Sequence, residues 1–390
     1  MKTTAVDRLL REAAPHELLA VLRAVLTAGW DAQAVELLLA DYGMTELQPV
    51  ADLPYSRDPV PVRGTAPGVA FTGQQVRFEK TASTVTAHVP VSVRGDRLGV
   101  LAVTFATAPD PAVQLELSRI AGALAHELLV AGRDTDLYLQ ARRTSRLTLA
   151  AEMQWQLLPG RSCTRPEFAL GGQLEPAYAV HGDSFDWSAT ARSLTVTLVN
   201  GTGHGVDAAM VTHLAVNAMR NARRAGVPLT AQAELTDQAL HGHYDGREYV
   251  TALLLQLDLA TGALDVVDTG SPRVWLLRDG DARRVSFDEQ LPLGAFGDTD
   301  YLTQRLQARP GDRLVFVSDG VYDVMGPTGD LYGDAGLARA VTDTAELPAA
   351  QVPGAVLADL ALRRAAGGTT DDAMVVCLDW FGPGASAPAG

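Results

Sequence analysis

Three closely set glycines follow a run of β-branched residues. The chain reads Leu194-Thr-Val-Thr-Leu-Val199, then Asn200-Gly-Thr-Gly-His204-Gly205, then Val206 to Arg224 with Ala, Met, Leu and Arg at helical spacing. The first part predicts a buried strand. Gly201, Gly203 and Gly205 predict a sharp turn, because glycine accepts positive φ and close backbone approach. The last part predicts a helix. Two chemistries compete for such a turn. A dinucleotide fingerprint needs a third glycine at its sixth position and an acid about 20 residues on. Here those places hold Val206 and then Arg220, Arg223 and Arg224, which disfavours that reading. A metal–phosphate site needs carboxylates gathered around the turn. Asp319 follows the apolar run Arg313 to Val317, Asp371 and Asp372 precede the apolar run Met374 to Leu378, and Asp183 and Asp186 precede the strand Ser193 to Val199. Any one of these alone reads as a turn or cap residue. Carboxylates collected from several strand ends suit hard cations such as Mg²⁺ or Mn²⁺. Two such ions can bridge a water, lower its pKa and clamp a phosphate for in-line displacement. No Cys or Ser nucleophile motif is present to offer a covalent route.

The elements that would position these groups come in a recognisable order. Ala151-Glu-Met-Gln with Leu157-Leu-Pro159 makes an opening helix ended by proline. His181-Gly-Asp183-Ser-Phe-Asp186, Gly203-His-Gly205 with Ala208-Ala209, Leu291-Pro-Leu-Gly294, Pro310-Gly-Asp312 with Ser318-Asp-Gly-Val321, and Thr370-Asp-Asp372 with Val376 follow. Over about residues 150–380 this order resembles the metal-dependent (PPM-type) serine/threonine phosphatases of the SpoIIE/RsbU type. The resemblance implies an α-β-β-α sandwich of two mostly antiparallel sheets. It implies metals, two Mn²⁺ or Mg²⁺ ions, on Asp183, Asp319 and Asp371, with Asn200 as a weak ligand and the Gly201 carbonyl beside it. Asp371 ranks above Asp372 because the family ligand is the first of that pair, and Asp186 and Asp372 are second choices. The implied substrate is a phosphoserine or phosphothreonine on a regulator such as an anti-sigma-factor antagonist, in a partner-switching pathway.

Two departures from the family pattern stand out. The aspartate that bridges the metals in the family is Asn200 here, so metal affinity should fall and the bridged water should be less acidic. Asp268-Thr-Gly-Ser-Pro272 stands where the family shows Asn-Ala-Gly-His-Pro, with Ser271 expected to affect loop packing more than metal binding. Asn200 keeps a second reading open, a pseudophosphatase that binds a partner without turnover. A third is a sensor whose C-terminal domain only dimerises. His204 could contact phosphate or pack beneath the turn. His241-Gly-His243 reads as loop, and Arg220, Arg223 and Arg224 as a solvated helix face.

The first part of the chain has another character. Residues 1–28 read as helical, Ala34 to Ala40 as a buried strand, and residues 41–66 as loop with short extended pieces. Val69 to Phe71, Gln75 to Phe78, Thr84 to Val93 and Arg97 to Phe105 read as strands of an antiparallel sheet, with Arg94-Gly-Asp-Arg97 as the hairpin turn. Pro111 to Ala131 returns to helical spacing. This order resembles a GAF domain and implies a sensor for an unknown small ligand or partner. His88 sits alone in a strand and reads as packing. No cysteine precedes Cys163, which excludes a thioether-held chromophore in this domain. The expected organisation is a GAF-like α+β domain over 1–132, a helical signalling linker over 133–158, the phosphatase domain over 159–380 and a disordered tail over 381–390.

Composition bounds the rest. The 390 residues carry a net charge of −14, which disfavours nucleic acid or an anionic membrane as main partner. Two unpaired cysteines suggest a reducing compartment. There is no signal-like N-terminus and no run of about 18 apolar residues. The expectation is a cytoplasmic protein, and the sensor–linker–phosphatase order that the resemblances imply adds the expectation of a homodimer.

Overall fold

The computed structural model describes residues 2–51, 58–175, 182–326, 331–364 and 371–385. His181, Thr370 and tail residues 386–390, all covered by the reading above, lie outside the described residues. The chain forms two compact units, one built on Met1–Arg146 and one on Leu147–Pro388.

The first unit opens with α1 (Lys2–Glu12), a single 3-10 turn (Pro15–Glu17) and α2 (Leu18–Trp30). Its strands are β1 (Ala34–Ala40), β2 (Glu46–Pro49), β3 (Val60–Pro61), β4 (Arg77–Lys80), β5 (Val85–Val93) and β6 (Asp96–Phe105). They form one antiparallel sheet in the order β3-β2-β1-β6-β5-β4. The β5–β6 hairpin turns at Arg94 and Gly95, both at positive φ (52° and 91°). That is the geometry matching the strands' right-handed twist. Alternate strand residues, such as Leu37, Leu39, Val89 and Val103, join Leu22 and Leu26 of α2 and Ile120 and Leu124 of α4 (Pro111–Ala131) in one core. The opposite face buries Leu38, Val100 and Phe71.

Two expectations fail here. Val69–Phe71 is not a strand but part of α3 (Ala66–Gly73). Thr65 caps that helix by accepting from the Gly68 amide at 3.1 Å, and a proline sits in its first turn. Cap and proline override the β-propensity of three residues. The 133–158 stretch is not one helix. It forms α5 (Leu137–Ala141) and α6 (Leu149–Leu157). The Arg142 guanidinium is drawn to the Ala40 carbonyl at 2.7 Å as α5 ends. Thr148 then takes an extended conformation and caps α6 by accepting from Ala151 N.

The second unit is a four-layer sandwich, as the resemblance implied. One antiparallel sheet has the order β15-β12-β11-β10-β9, with β9 Ser184–Ala189, β10 Ser193–Gly201, β11 Val250–Asp258, β12 Ala263–Asp268 and β15 Gln304–Gln307. The other has the order β14-β13-β16-β17-β8-β7. Its strands are β7 Ser162–Thr164, β8 Phe168–Glu175, β13 Arg273–Arg278, β14 Asp281–Val285, β16 Arg313–Val317 and β17 Ala373–Trp380. The sheets meet face to face where the Phe185 ring lies against Gly172, within 2.7 Å of where a Cβ would stand. Helices α7 (Gly205–Arg224) and α8 (Leu229–Tyr244) cover the five-stranded sheet through Val211, Ala215, Met219 and Leu240. Helices α10 (Gly333–Asp343) and α11 (Val352–Arg363) cover the six-stranded one through Leu337, Val341, Val356 and Leu360. Among the described residues no helix is long and apolar enough to cross a membrane.

Candidate metal centre

Antiparallel pairing decides where the aspartates go. β9 starts beside the end of β10, with Ser184 opposite Val199. β17 starts beside the end of β16, with Val375 opposite Val317. Asp183 just precedes β9, Asn200 and Gly201 close β10, Asp319 begins the one-turn helix α9 (Asp319–Tyr322) after β16, and Asp371 and Asp372 just precede β17. All therefore collect at one end of the sandwich, where the two sheets are stitched together. Asp372 Oδ2 accepts the amides of Gly182 and Asp183 at 2.8 and 3.2 Å. Thr212 of α7 donates to the Gly182 carbonyl at 2.6 Å. Gly201 must be glycine, since a Cβ there would lie 2.5 Å from Thr212 Oγ1 and 2.6 Å from Gly182 O. Gly320 is equally constrained, its Cβ position lying 1.9 Å from the Asp372 carbonyl.

The electrostatics follow from this crowding. Burial pushes Asp183 well above the usual carboxylate range, and the charges of Asp372, Asp319 and Asp371 push it further. A hydrogen bond from Ser318 opposes the rise. Asp319 is also raised, first by burial, with Asp371 adding to it, while the Asn200 side chain hydrogen-bonds Asp319 and holds it down. The Asn200 amide therefore already serves Asp319. Asp371 Oδ1 accepts the Asp372 amide at 2.9 Å, and Asp319 Oδ1 accepts the Gly320 amide at 2.9 Å.

Folded, metal-free protein thus holds protons that the unfolded chain releases. Stability from a raised carboxylate is fully present below its unfolded pKa and is lost as pH rises through its folded value. Asp183→Asn should therefore raise the melting temperature of metal-free protein, and by more at about pH 8 than at about pH 5. A melting-temperature difference that does not grow with pH would contradict this electrostatic account.

Several side chains lie elsewhere than expected. Asp186, a second-choice ligand, points away from this cluster. It sits within β9 opposite Thr197 and is ion-paired with Arg220 at 2.7 Å and Arg223 at 2.8 Å. The two arginines are thus no solvated face, and Arg220 also donates to the Leu157 carbonyl, joining α7 to α6. Removing one partner of such a pair leaves buried charge uncompensated. Asp186→Ala should destabilise the second unit by about 3 kcal/mol, readable as a lower denaturant midpoint. His204 is exposed at the start of α7 rather than packed beneath the turn. His241 and His243 are helical, in α8, not in a loop. The His241 ring packs where a Gly297 Cβ would stand.

One participant escaped the sequence reading. Gln154 of α6 is fully buried and donates from Nε2 to the Asp183 carbonyl at 3.3 Å. A polar residue on the otherwise apolar inward stripe of Ala150, Ala151 and Leu157 was the available signal.

The donor set suits a hard cation. Asp183 Oδ2 is buried without a hydrogen-bond partner, an orphaned polar atom of the kind a metal satisfies. The other candidate donors are carboxylate, amide and main-chain oxygens. Among the described residues no group of three or more acidic, histidine or cysteine side chains stands close enough together to hold a metal ion as placed. Oxygen chemistry and the orphaned Asp183 oxygen carry the fit.

Residues 190–381 match the family model described as Stage II sporulation protein E (SpoIIE). The phosphoserine phosphatase RsbP of Bacillus subtilis (strain 168) is 26% identical over 189 residues, 47% of this chain and 45% of that protein. The chain thus spans less than half the length of this curated relative. Among solved structures, the RsbU and RsbW domains of Rv1364c from Mycobacterium tuberculosis superpose with a TM-score of 0.51 and 24% identity, over 58% of this chain and 64% of that one. The SiaA-PP2C domain of Pseudomonas aeruginosa gives 0.50 and 22%, over 59% and 93%. The SpoIIE phosphatase domain of Bacillus subtilis with a regulatory-domain fragment gives 0.50 and 15%, over 81% and 83%. At these identities the structural likenesses speak for the fold.

Proposed function

The C-terminal unit of this chain carries a SpoIIE-family domain of the PP2C phosphatase fold, and from that premise we propose that the protein is a metal-dependent phosphoprotein phosphatase. The single observation that carries the reading is the convergence of Asp183, Asp319, Asp371 and Asp372 at one end of the sandwich, with Asp183 Oδ2 buried and unpartnered. Asp183, Asp319 and Asp371 hold the metals, and Asp372 keeps Gly182 and Asp183 in place through their amides. Asn200 and the Gly201 carbonyl complete the donor set. Bound divalent cations would polarise the phosphoryl group and lower the pKa of a water for in-line attack. The chain's own part is to hold carboxylates on rigid strand ends, so that little reorganisation accompanies charge transfer.

The substrate is a phosphoserine or phosphothreonine of a protein regulator, an anti-sigma-factor antagonist by analogy with the partner-switching family. RsbP, named as a phosphoserine phosphatase, supports this class of substrate. The first unit is the sensor of a cytoplasmic homodimer. Its GAF-like order of helix, antiparallel sheet and closing helix supports that role. A pseudophosphatase reading is favoured by one observation, the Asn200 amide hydrogen-bonded to Asp319. Phosphate release from p-nitrophenyl phosphate, with Mn²⁺ and with chelator, decides between them. Mn²⁺-dependent release is expected. Specific Mn²⁺ binding without release would leave the binding protein, and no Mn²⁺ binding at all would reject both readings.

A further inference from the structure

On the phosphatase reading a phosphomonoester dianion must approach four carboxylates and the cations they would hold, and a guanidinium on the substrate side would add to its attraction. The chain around Asn200 and Asp319 closes into a ring that locates one. Asn200 lies opposite Thr251 in the β10–β11 ladder. Thr251 lies against Gly270, its Cγ2 3.0 Å from where a Cβ would stand. Next comes Ser271, whose Oγ accepts a hydrogen bond from the Tyr322 hydroxyl at 3.2 Å. Tyr322 is at the end of the one-turn helix that Asp319 begins, and the Asp319 charge is felt at its hydroxyl. Asp319 returns to Asn200 through the side-chain hydrogen bond. Ser271 and Tyr322 therefore stand at the rim of the carboxylate cluster. Arg273 lies with its guanidinium carbon 3.5 Å from the centre of the Tyr322 ring. In the β13–β16 ladder it is opposite Val317, two residues before Asp319.

We infer that Arg273, stacked on Tyr322 beside the Ser271 hydroxyl, is the residue that receives the phosphomonoester dianion of the substrate at the rim of the carboxylate cluster. The inference rests on the phosphatase reading for its ligand class. Stacking holds the planar fork in one orientation, so little freedom is lost when it pairs with phosphate oxygens. Its present ion pair is weak. Asp334 Oδ1 is 3.4 Å from Arg273 Nη1 and about half exposed, and Asp334 Oδ2 is also shared with Arg284 at 3.6 Å. Such an exposed pair gives way readily to a dianion. The placement also gives Ser271 a use. In the Asp268-Thr-Gly-Ser-Pro272 segment, a hydroxyl that accepts from Tyr322 fixes the ring on which Arg273 lies. Arg273 is a substrate-binding group, not a metal ligand, so its loss should act on phosphate and leave the metal in place.

The test measures inorganic phosphate binding by calorimetry on the full chain with Mn²⁺, alongside steady-state turnover of p-nitrophenyl phosphate. Arg273→Gln should weaken phosphate binding about tenfold, as expected for one charge-assisted contact. It should raise KM by a similar factor, change kcat less, and leave Mn²⁺ affinity unchanged. Arg273→Lys should recover part of the binding. Asp334→Asn retains the guanidinium and removes its competitor, so it should tighten phosphate binding; this variant decides the matter if Arg273→Gln does not fold. Arg273-dependent phosphate binding without turnover would uphold the rim and reject the phosphatase reading. Turnover with phosphate binding and KM indifferent to Arg273 and Asp334 would do the reverse. A wild type that binds Mn²⁺ but no phosphate would overturn the inference.

Discussion

Asp319→Asn is expected to abolish Mn²⁺-dependent phosphate release while leaving the fold intact. The residue begins α9, and its Oδ1 accepts the Gly320 amide at 2.9 Å. An asparagine oxygen can accept the same bond, so the turn survives. The charge does not. A unit charge at 4 Å is worth about 4 kcal/mol at an effective dielectric of 20, and a divalent ion roughly doubles the lost attraction. Even the smaller figure is about a thousandfold in a rate or a binding constant. Calorimetric Mn²⁺ titration and phosphate release should fall together, with an unchanged circular dichroism spectrum. A variant that binds Mn²⁺ and turns over like wild type would remove Asp319 from the centre.

The second large effect runs in the opposite direction. Asn200→Asp places a carboxylate at the end of β10, where the resemblance to the phosphatase family implies a metal ligand. In metal-free protein this should destabilise, because it replaces the Asn200 hydrogen bond to Asp319 with a like-charge contact. With Mn²⁺ the sign reverses, since two carboxylates now face one cation. Mn²⁺ affinity should rise by at least about tenfold on the same Coulomb reasoning, discounted for the repulsion. The thermal shift on adding Mn²⁺ should be larger than in wild type, as binding to the folded state alone requires. If phosphate release rises with it, the natural asparagine attenuates a working enzyme. If release starts from nothing, the natural chain is a pseudophosphatase. If Mn²⁺ affinity falls instead, Asn200 serves the fold through Asp319 and does not stand at a ligand position.

Much was legible in the sequence because it depends on short-range rules. The β10 strand, the glycine turn and the α7 helix lie contiguous in the chain, and each is set by local propensity and by glycine's backbone freedom. The order of aspartates at strand ends was legible for the same reason. So was the β5–β6 hairpin, since Arg94-Gly95 suits its turn. What failed locally was decided by single contacts. Thr65 turned Val69–Phe71 into a helix, and Thr148 with Arg142 divided the expected 133–158 helix.

The roles of the charged groups were a different matter. Asp186 and Asp183 are three residues apart in the same motif, yet one is an ion-pair anchor and the other the buried heart of the cluster. Strand alternation placed them on different sides, and α7 then supplied Arg220 and Arg223 to Asp186. Asp372 was likewise indistinguishable from Asp371 by type, and only folding brought its carboxylate to the Gly182 and Asp183 amides. Gln154 stood in the opening-helix motif with nothing to mark its role, and Arg273 carried no motif at all. Their partners, Asp183 and Tyr322, lie 29 and 49 positions away, a separation no local pattern encodes. The sequence by itself determined the kinds of element, their order and the oxygen chemistry at their ends. Tertiary structure alone decided which carboxylates share a site and which are neutralised, because burial and charge pairing arise only when distant strands close on one another.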